Sequence, residues 1–118
     1  MRWIGVSVAI TRWLSDDPQP GVVEAELSDV HGRCWRFTGK QSDFETTELD
    51  AQSVYPQPGV ILCRVVDRRI GPHDCEVVRV ELHGDGSEIE VVPAQMEEGS
   101  FNSPGRWPWN GRAEPNAV

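Results

Sequence analysis

Apolar and polar residues alternate along most of this chain, and nowhere does an apolar stripe recur at helical spacing. Ile4, Val6, Val8 and Ile10 share one face of residues 3–14, with Trp3, Gly5, Ser7, Ala9 and Thr11 on the other. After a turn at residues 16–21, Val23, Ala25 and Leu27 alternate with Glu24, Glu26 and Ser28. His31-Gly32 turns the chain into residues 33–38, where Trp35 and Phe37 point opposite to Cys34 and Arg36, so the pair reads as a β-hairpin. Residues 60–67 begin Val-Ile-Leu, apolar on both faces, as expected of a central strand. Residues 68–74 turn the chain, Val78, Val80 and Leu82 then alternate with Arg79 and Glu81, and Gly84-Asp85-Gly86 turns into residues 88–92, with Ile89 and Val91 inward. Period two with β-branched residues predicts half-buried strands. Strands this short and this closely spaced close into a small barrel or pack as a sandwich.

The expected fold is therefore all-β: a small, partly open antiparallel barrel of five or six strands, of the OB- or SH3-like kind. Trp13, Trp35 and Phe37 are the expected large fillers. Residues 1–96 form this single β-barrel domain. Residues 97–118, with Ser103-Pro104-Gly105 and Trp107-Pro108-Trp109, hold no period and are expected to be a flexible, disordered tail.

Pro-Gln-Pro-Gly-Val occurs twice, at residues 18–22 and 56–60, each time directly before a strand. Proline fixes φ near −65° and removes a donor, so neither copy is expected inside a helix or a central strand. Between the hairpin and the second copy lies an acidic segment, residues 39–57, without a period. Ser42 with Glu45 matches a capping box there, and residues 46–51 could form one or two helical turns.

Composition narrows the partners. Formal net charge is −8, from 19 acidic against 11 basic side chains, which repels nucleic-acid phosphates and anionic membranes and suits a basic partner. No apolar run approaches the length that spans a bilayer, and residues 3–10 make a poor signal peptide, so a cytoplasmic location is expected. Cys34, Cys63 and Cys75 form an odd set without CxxC spacing and read as reduced core thiols. His31 with Cys34 and His73 with Cys75 could in principle make a Cys₂His₂ site. His-x-Cys is nevertheless an unusual half-site, so neither metal nor cofactor is expected.

Catalytic signatures are missing from the sequence. There is no Gly-x-Ser-x-Gly and no activated cysteine, and Gly84-Asp85-Gly86 lacks the lysine of a phosphate loop. Glu24 with Glu26 and Glu88 with Glu90 lie at strand spacing on outward faces, where solvation explains them. Arg33, Trp35, Phe37, Arg64, Arg68 and Arg69 sketch a faint aromatic and basic face for a ligand or a nucleic acid. A fuller pattern lies in the acidic segment. Asp43, Glu45, Glu48 and Asp50 surround Phe44 and Leu49, with Tyr55 at the far end. Either Phe44 and Leu49 are exposed anchors within a charged rim for a basic protein, or they tuck onto the barrel beneath a solvated loop.

From residue 13 to residue 82 the order of motifs resembles a family of short, uncharacterised bacterial proteins, and Tyr55-Pro56-Gln57-Pro58-Gly59-Val60 is the most specific part of that resemblance. The resemblance implies no activity and transfers no catalytic residue. By size and charge alone, such proteins are similar to immunity proteins that neutralise bacterial toxins. The expected function is a non-enzymatic protein-interaction module presenting acidic surface to a basic partner, with a small ligand- or nucleic-acid-binding barrel as the alternative.

Overall fold

A computed structural model describes residues 3–82 and 86–97 in full and residues 112–116 as backbone. The chain is all-β, with no helix beyond short 3₁₀ turns among the described residues. Six main strands are β1 (Ile4–Ser15), β2 (Val22–Ser28), β3 (Cys34–Lys40), β4 (Gln57–Ile70), β5 (Glu76–Leu82) and β6 (Glu88–Val91). Two short ones follow, β7 (Met96–Glu97) and β8 (Arg112–Asn116). The sheet order is β6-β5-β4-β1-β2-β3-β8, with β7 adding to β1. Every pairing among the described residues is antiparallel.

Curvature comes from β1. Its first half pairs with β4, from Ile4↔Cys63 to Ile10↔Gln57, and its second half pairs with β2, from Ala9↔Glu26 to Ser15↔Val22. Register shifts between Ile10 and Arg12 and between Trp13 and Ser15 bend the strand as it passes from one partner to the other. The sheet curls into a half-barrel around Val6, Ile10, Val23, Phe37, Val78, Val80 and Val91, all buried. Trp13 and Trp35 pack against this core while remaining partly exposed.

The two Pro-Gln-Pro-Gly copies do different jobs. At Gly21, φ is +120°, and an added Cβ would stand 2.0 Å from Cη2 of Trp13. In the second copy, Gln57 and Pro58 are already strand, paired with Ile10 and Ala9. Proline is tolerated there because β5 joins β4 only from Cys63 onward, which leaves the outer edge of Pro58 unpaired. An added Cβ at Gly59 would lie 2.9 Å from Ile10 and 3.3 Å from Phe44. Both glycines thus let the backbone pass beneath a large side chain.

At one end the open side of the half-barrel is drawn together. Val30 N–H donates to the Glu90 carbonyl (3.0 Å), and Gln95 Nε2 donates to the Ser28 carbonyl (2.8 Å). Glu90 also meets His31 Nε2 at 2.6 Å and accepts from Arg69. These hydrogen bonds, His31 first, hold the Glu90 carboxyl below its ordinary range. Burial by itself would raise Asp29, but donation from Trp35 Nε1 and from the Arg33 and His31 amides outweighs it, so Asp29 is also lowered. A carboxyl more acidic in the folded than in the unfolded chain stabilises the fold above its unfolded pKa, and that contribution is lost as pH falls through the folded value. Chemical denaturation should therefore show stability falling as the medium is acidified through the carboxylate range. Asp29→Asn combined with Glu90→Gln should be less stable at neutral pH and show a flatter acid limb.

Several expectations need correction. Strand β4 runs on to Ile70, through the segment read as a turn, because Arg68 and Arg69 pair with Val78 and Val77. The helical turn forms at Gln41–Phe44, not at 46–51. Its amino end is capped by Asp43 Oδ2 accepting from Lys40 N–H (3.0 Å), so the Ser42/Glu45 capping box does not carry it. Cys63 is a core thiol, but Cys34 is half-buried and Cys75 exposed. Residues 112–116 of the expected tail are a strand on β3, and the short strand β7 runs to Glu97, one residue past the expected end of the barrel domain. The rest of the tail, 98–111 and 117–118, lies outside the described residues, as does the Gly84-Asp85 part of the expected turn.

Candidate functional site

The acidic segment between β3 and β4 has almost no regular structure and yet is firmly tied. Its main fastener is Gln41, 1 % exposed. Gln41 Nε2 donates to the carbonyls of Pro20 (2.6 Å) and Leu49 (3.0 Å), and its Oε1 accepts from Leu49 N–H (3.0 Å). Gln41 N–H donates to the Gly21 carbonyl as well. One side chain therefore binds the first proline turn to the middle of the acidic segment. That brings the acids of the 16–17 turn and those around residue 49 to the same end of the half-barrel.

Past Leu49, Asp50 organises a second turn. Its Oδ1 accepts from Gln52 N–H (2.8 Å), and its carbonyl accepts from Ser53 N–H (3.1 Å) and the Tyr55 hydroxyl (2.7 Å). Tyr55 packs on the core, and its burial pushes the phenol up, so the hydroxyl stays protonated and can donate. Asp43 and Asp50 thus shape the loop through backbone bonds.

Phe44 is 0 % exposed and Leu49 packs against the core, so the structure follows the tucked arrangement and Phe44 is no surface anchor. The outward apolar residue is Val54, 80 % exposed, which the sequence pattern did not single out. Glu45, Glu48 and Asp50 are exposed on the same loop. Ser42, Glu45, Thr46, Thr47 and Glu48 line a recess of about 360 Å³. Glu45 holds a left-handed backbone conformation (φ 58°) at the end of the 3₁₀ turn, which sets the course of this rim.

Charge on the barrel wall is arranged differently. Arg12 and Arg36 pair with Glu24, Arg64 with Glu81, Arg68 with Glu76, Arg69 with Glu90, and Arg79 with Asp67 and Glu88. The wall acids are thereby largely neutralised. Among the described residues, Glu48 and Asp50 have no cationic side chain within ion-pair distance. Among the described residues the wall acids Glu24, Glu76, Glu81, Glu88 and Glu90 thus stand beside arginines, whereas Glu48 and Asp50 display their charge uncompensated on the loop.

The faint aromatic and basic face does not assemble. Phe37 is in the core, Trp35 Nε1 is bonded to Asp29 (2.9 Å), and Arg64, Arg68 and Arg69 are each paired. His31 and Cys34 flank the β2–β3 turn, and His73 and Cys75 the β4–β5 turn. Among the described residues no three His, Cys, Asp or Glu side chains converge as metal ligands would. Burial and then the charge of Glu26 push the Cys34 thiol up, which keeps it protonated and a poor nucleophile. Among the described residues no helix is long and apolar enough to cross a membrane. No family model, curated protein or solved structure matches this chain.

Proposed function

We propose that the chain is a non-enzymatic, cytoplasmic protein-interaction module whose loop 41–55 captures a basic partner. A toxin-immunity protein is the kind of module its size and charge suit. The observation that carries this reading is the contrast between neutralised wall acids and the uncompensated loop acids Glu48 and Asp50 beside exposed Val54. A loop already fastened by Gln41, Asp50 and Tyr55 loses little entropy on binding. Its charges speed encounter with a cationic surface, and Val54 supplies apolar contact once water is expelled. Glu45, Glu48, Asp50, Val54 and Tyr55 form the binding face. Asp43, Phe44 and Leu49 hold it from below.

The test is capture from the source cell, with identification of the captured protein. Glu45→Lys with Glu48→Lys should change stability by no more than about 1 kcal/mol, as exposed charges do. The same pair should abolish capture, and the loss should be seen mainly in a slower, less salt-sensitive association. Val54→Asp should also weaken capture while leaving the salt dependence in place. Undiminished capture by the charge-reversed protein, or a captured partner that is acidic, would put the binding surface elsewhere. The alternative, a nucleic-acid-binding barrel, predicts that single-stranded oligonucleotides bind and quench Trp35, an outcome that the paired arginines work against.

A further inference from the structure

Strand β8 sits on the outer edge of β3 in a continuous antiparallel register, from Cys34↔Asn116 to Thr38↔Arg112. Its sequence, Arg112-Ala113-Glu114-Pro115-Asn116, is unusual for a strand that completes a sheet. Alanine, glutamate, proline and asparagine are all depleted in strands. Strands β2 and β5, by contrast, each carry at least three buried apolar residues in the core: Val23, Ala25 and Leu27 in β2 and Val77, Val78, Val80 and Leu82 in β5. Opposite Trp35 and Phe37, the two large residues that β3 offers at its inner registers, β8 places Pro115 and Ala113. Main-chain pairing with β3 is what the register establishes for this strand. Main-chain pairing is a bond that any extended segment can make.

Pro115 has a second consequence. A proline survives in an edge strand where its missing N–H faces away from the neighbour. Strand β8 therefore presents a poor outward edge to further strands, while it covers an edge on β3 that would otherwise be open.

We propose that the β3 edge is a strand-addition site for an extended peptide segment of apolar-acidic-apolar pattern, and that β8 is its built-in, displaceable occupant. The acidic preference comes from Arg36. Its Nε is buried without a hydrogen bond among the described residues, and the Glu24 and Glu26 oxygens lie 3.8 and 4.0 Å away. Register places Glu114 directly opposite Arg36, so β8 itself shows the charge that an added strand should carry there. β-branched residues opposite Trp35 and Phe37 would improve on Pro115 and Ala113. This site is separate from the acidic loop and selects the opposite charge at its centre, so it stands or falls independently of the proposed function.

The probe is a labelled synthetic peptide with Arg-Val-Glu-Val-Asn at its centre, followed by fluorescence anisotropy with the full chain. A Val-Lys-Val version is the charge control. Strengthening β8 by Ala113→Val with Pro115→Val should weaken peptide binding at least about tenfold, because displacement becomes harder. Glu114→Pro should strengthen it by a similar factor, because alternation turns the Glu114 N–H toward β3 once that of Pro115 faces out. Amide chemical-shift changes should concentrate on residues 34–38. Equal affinity for the parent and the strengthened chain would overturn the proposal, as would equal binding of the Val-Lys-Val peptide or shifts centred away from β3. Should Glu114→Pro fail to fold, β8 is integral to the barrel and the proposal also fails.

Discussion

Gln41→Ala should lower stability by about 2–4 kcal/mol, since each buried group stranded without a partner costs about 1–3 kcal/mol and water re-enters to satisfy part of the set. The groups at risk are the Pro20 carbonyl and both backbone groups of Leu49. The effect should reach beyond stability. Without this amide, the first proline turn keeps the Gln41 backbone bond to Gly21 but loses its side-chain tie to Leu49. Hydrogen exchange at Leu49 N–H should accelerate far more than exchange in β5, and partner capture should fall although no binding residue has changed. Gln41→Glu is the informative companion. It preserves volume and the acceptor but removes the donors to Pro20 and Leu49, so it should be as damaging at neutral pH. A loss under about half a kcal/mol for Gln41→Ala would mean that the loop is fastened elsewhere.

Gly21→Ala should be still more damaging, at about 3–5 kcal/mol, because two penalties act together: a strained backbone and an overpacked contact. The new methyl would need to occupy space 2.0 Å from Cη2 and 2.4 Å from Cζ2 of Trp13, at a φ of +120°. Gly32→Ala separates the two penalties. At Gly32 φ is +76° and nothing lies within 4 Å of an added Cβ, so only backbone strain of about 1–2 kcal/mol should appear. Combining Gly21→Ala with Trp13→Leu should then recover part of the loss, giving a coupling energy of at least about 1 kcal/mol in urea denaturation. Strict additivity of the two changes would show that the indole does not press on Gly21.

These two positions also mark the limits of the sequence pattern as a guide. Alternation carried the strands: Ile4 to Ile10, Val23 to Leu27 and Val78 to Leu82 all face the core as expected. It failed for β8, because an edge strand held by its main chain needs no apolar period. It failed also at Arg68 and Arg69, read with Gly71-Pro72 as part of one turn, although an exposed strand ladder can carry paired charges, as with Arg68 and Glu76. The proline repeat is visible in the letters, but its cause is not. The glycines of the two copies are needed beneath Trp13 and beneath Ile10 with Phe44, contacts made across the fold that the letters do not show.

The candidate site was only partly legible for similar reasons. Its acids were readable from composition, since exposure follows from charge. Phe44 was ambiguous, because one aromatic in a polar segment fits an anchor or a core plug equally well, and closure over Gly59 decides for the core. Gln41 left no trace in an apolar pattern because it is a buried polar residue. Only its hydrogen bonds, three from the side chain together with those of its backbone to Gly21 and Thr46, show that it holds the loop. Val54 escaped notice because a lone valine beside a proline box reads as the approach to a strand.

The most direct test of the acidic loop as a binding face is amide chemical-shift mapping of the full chain, titrated with an arginine-rich peptide as a stand-in for a cationic surface. Shifts should cluster on residues 45–54, disappear in the Glu45→Lys, Glu48→Lys protein and weaken as salt is raised. Shifts spread over the wall acids Glu24, Glu81 and Glu90, or clustered there and unchanged by the loop substitutions, would contradict it.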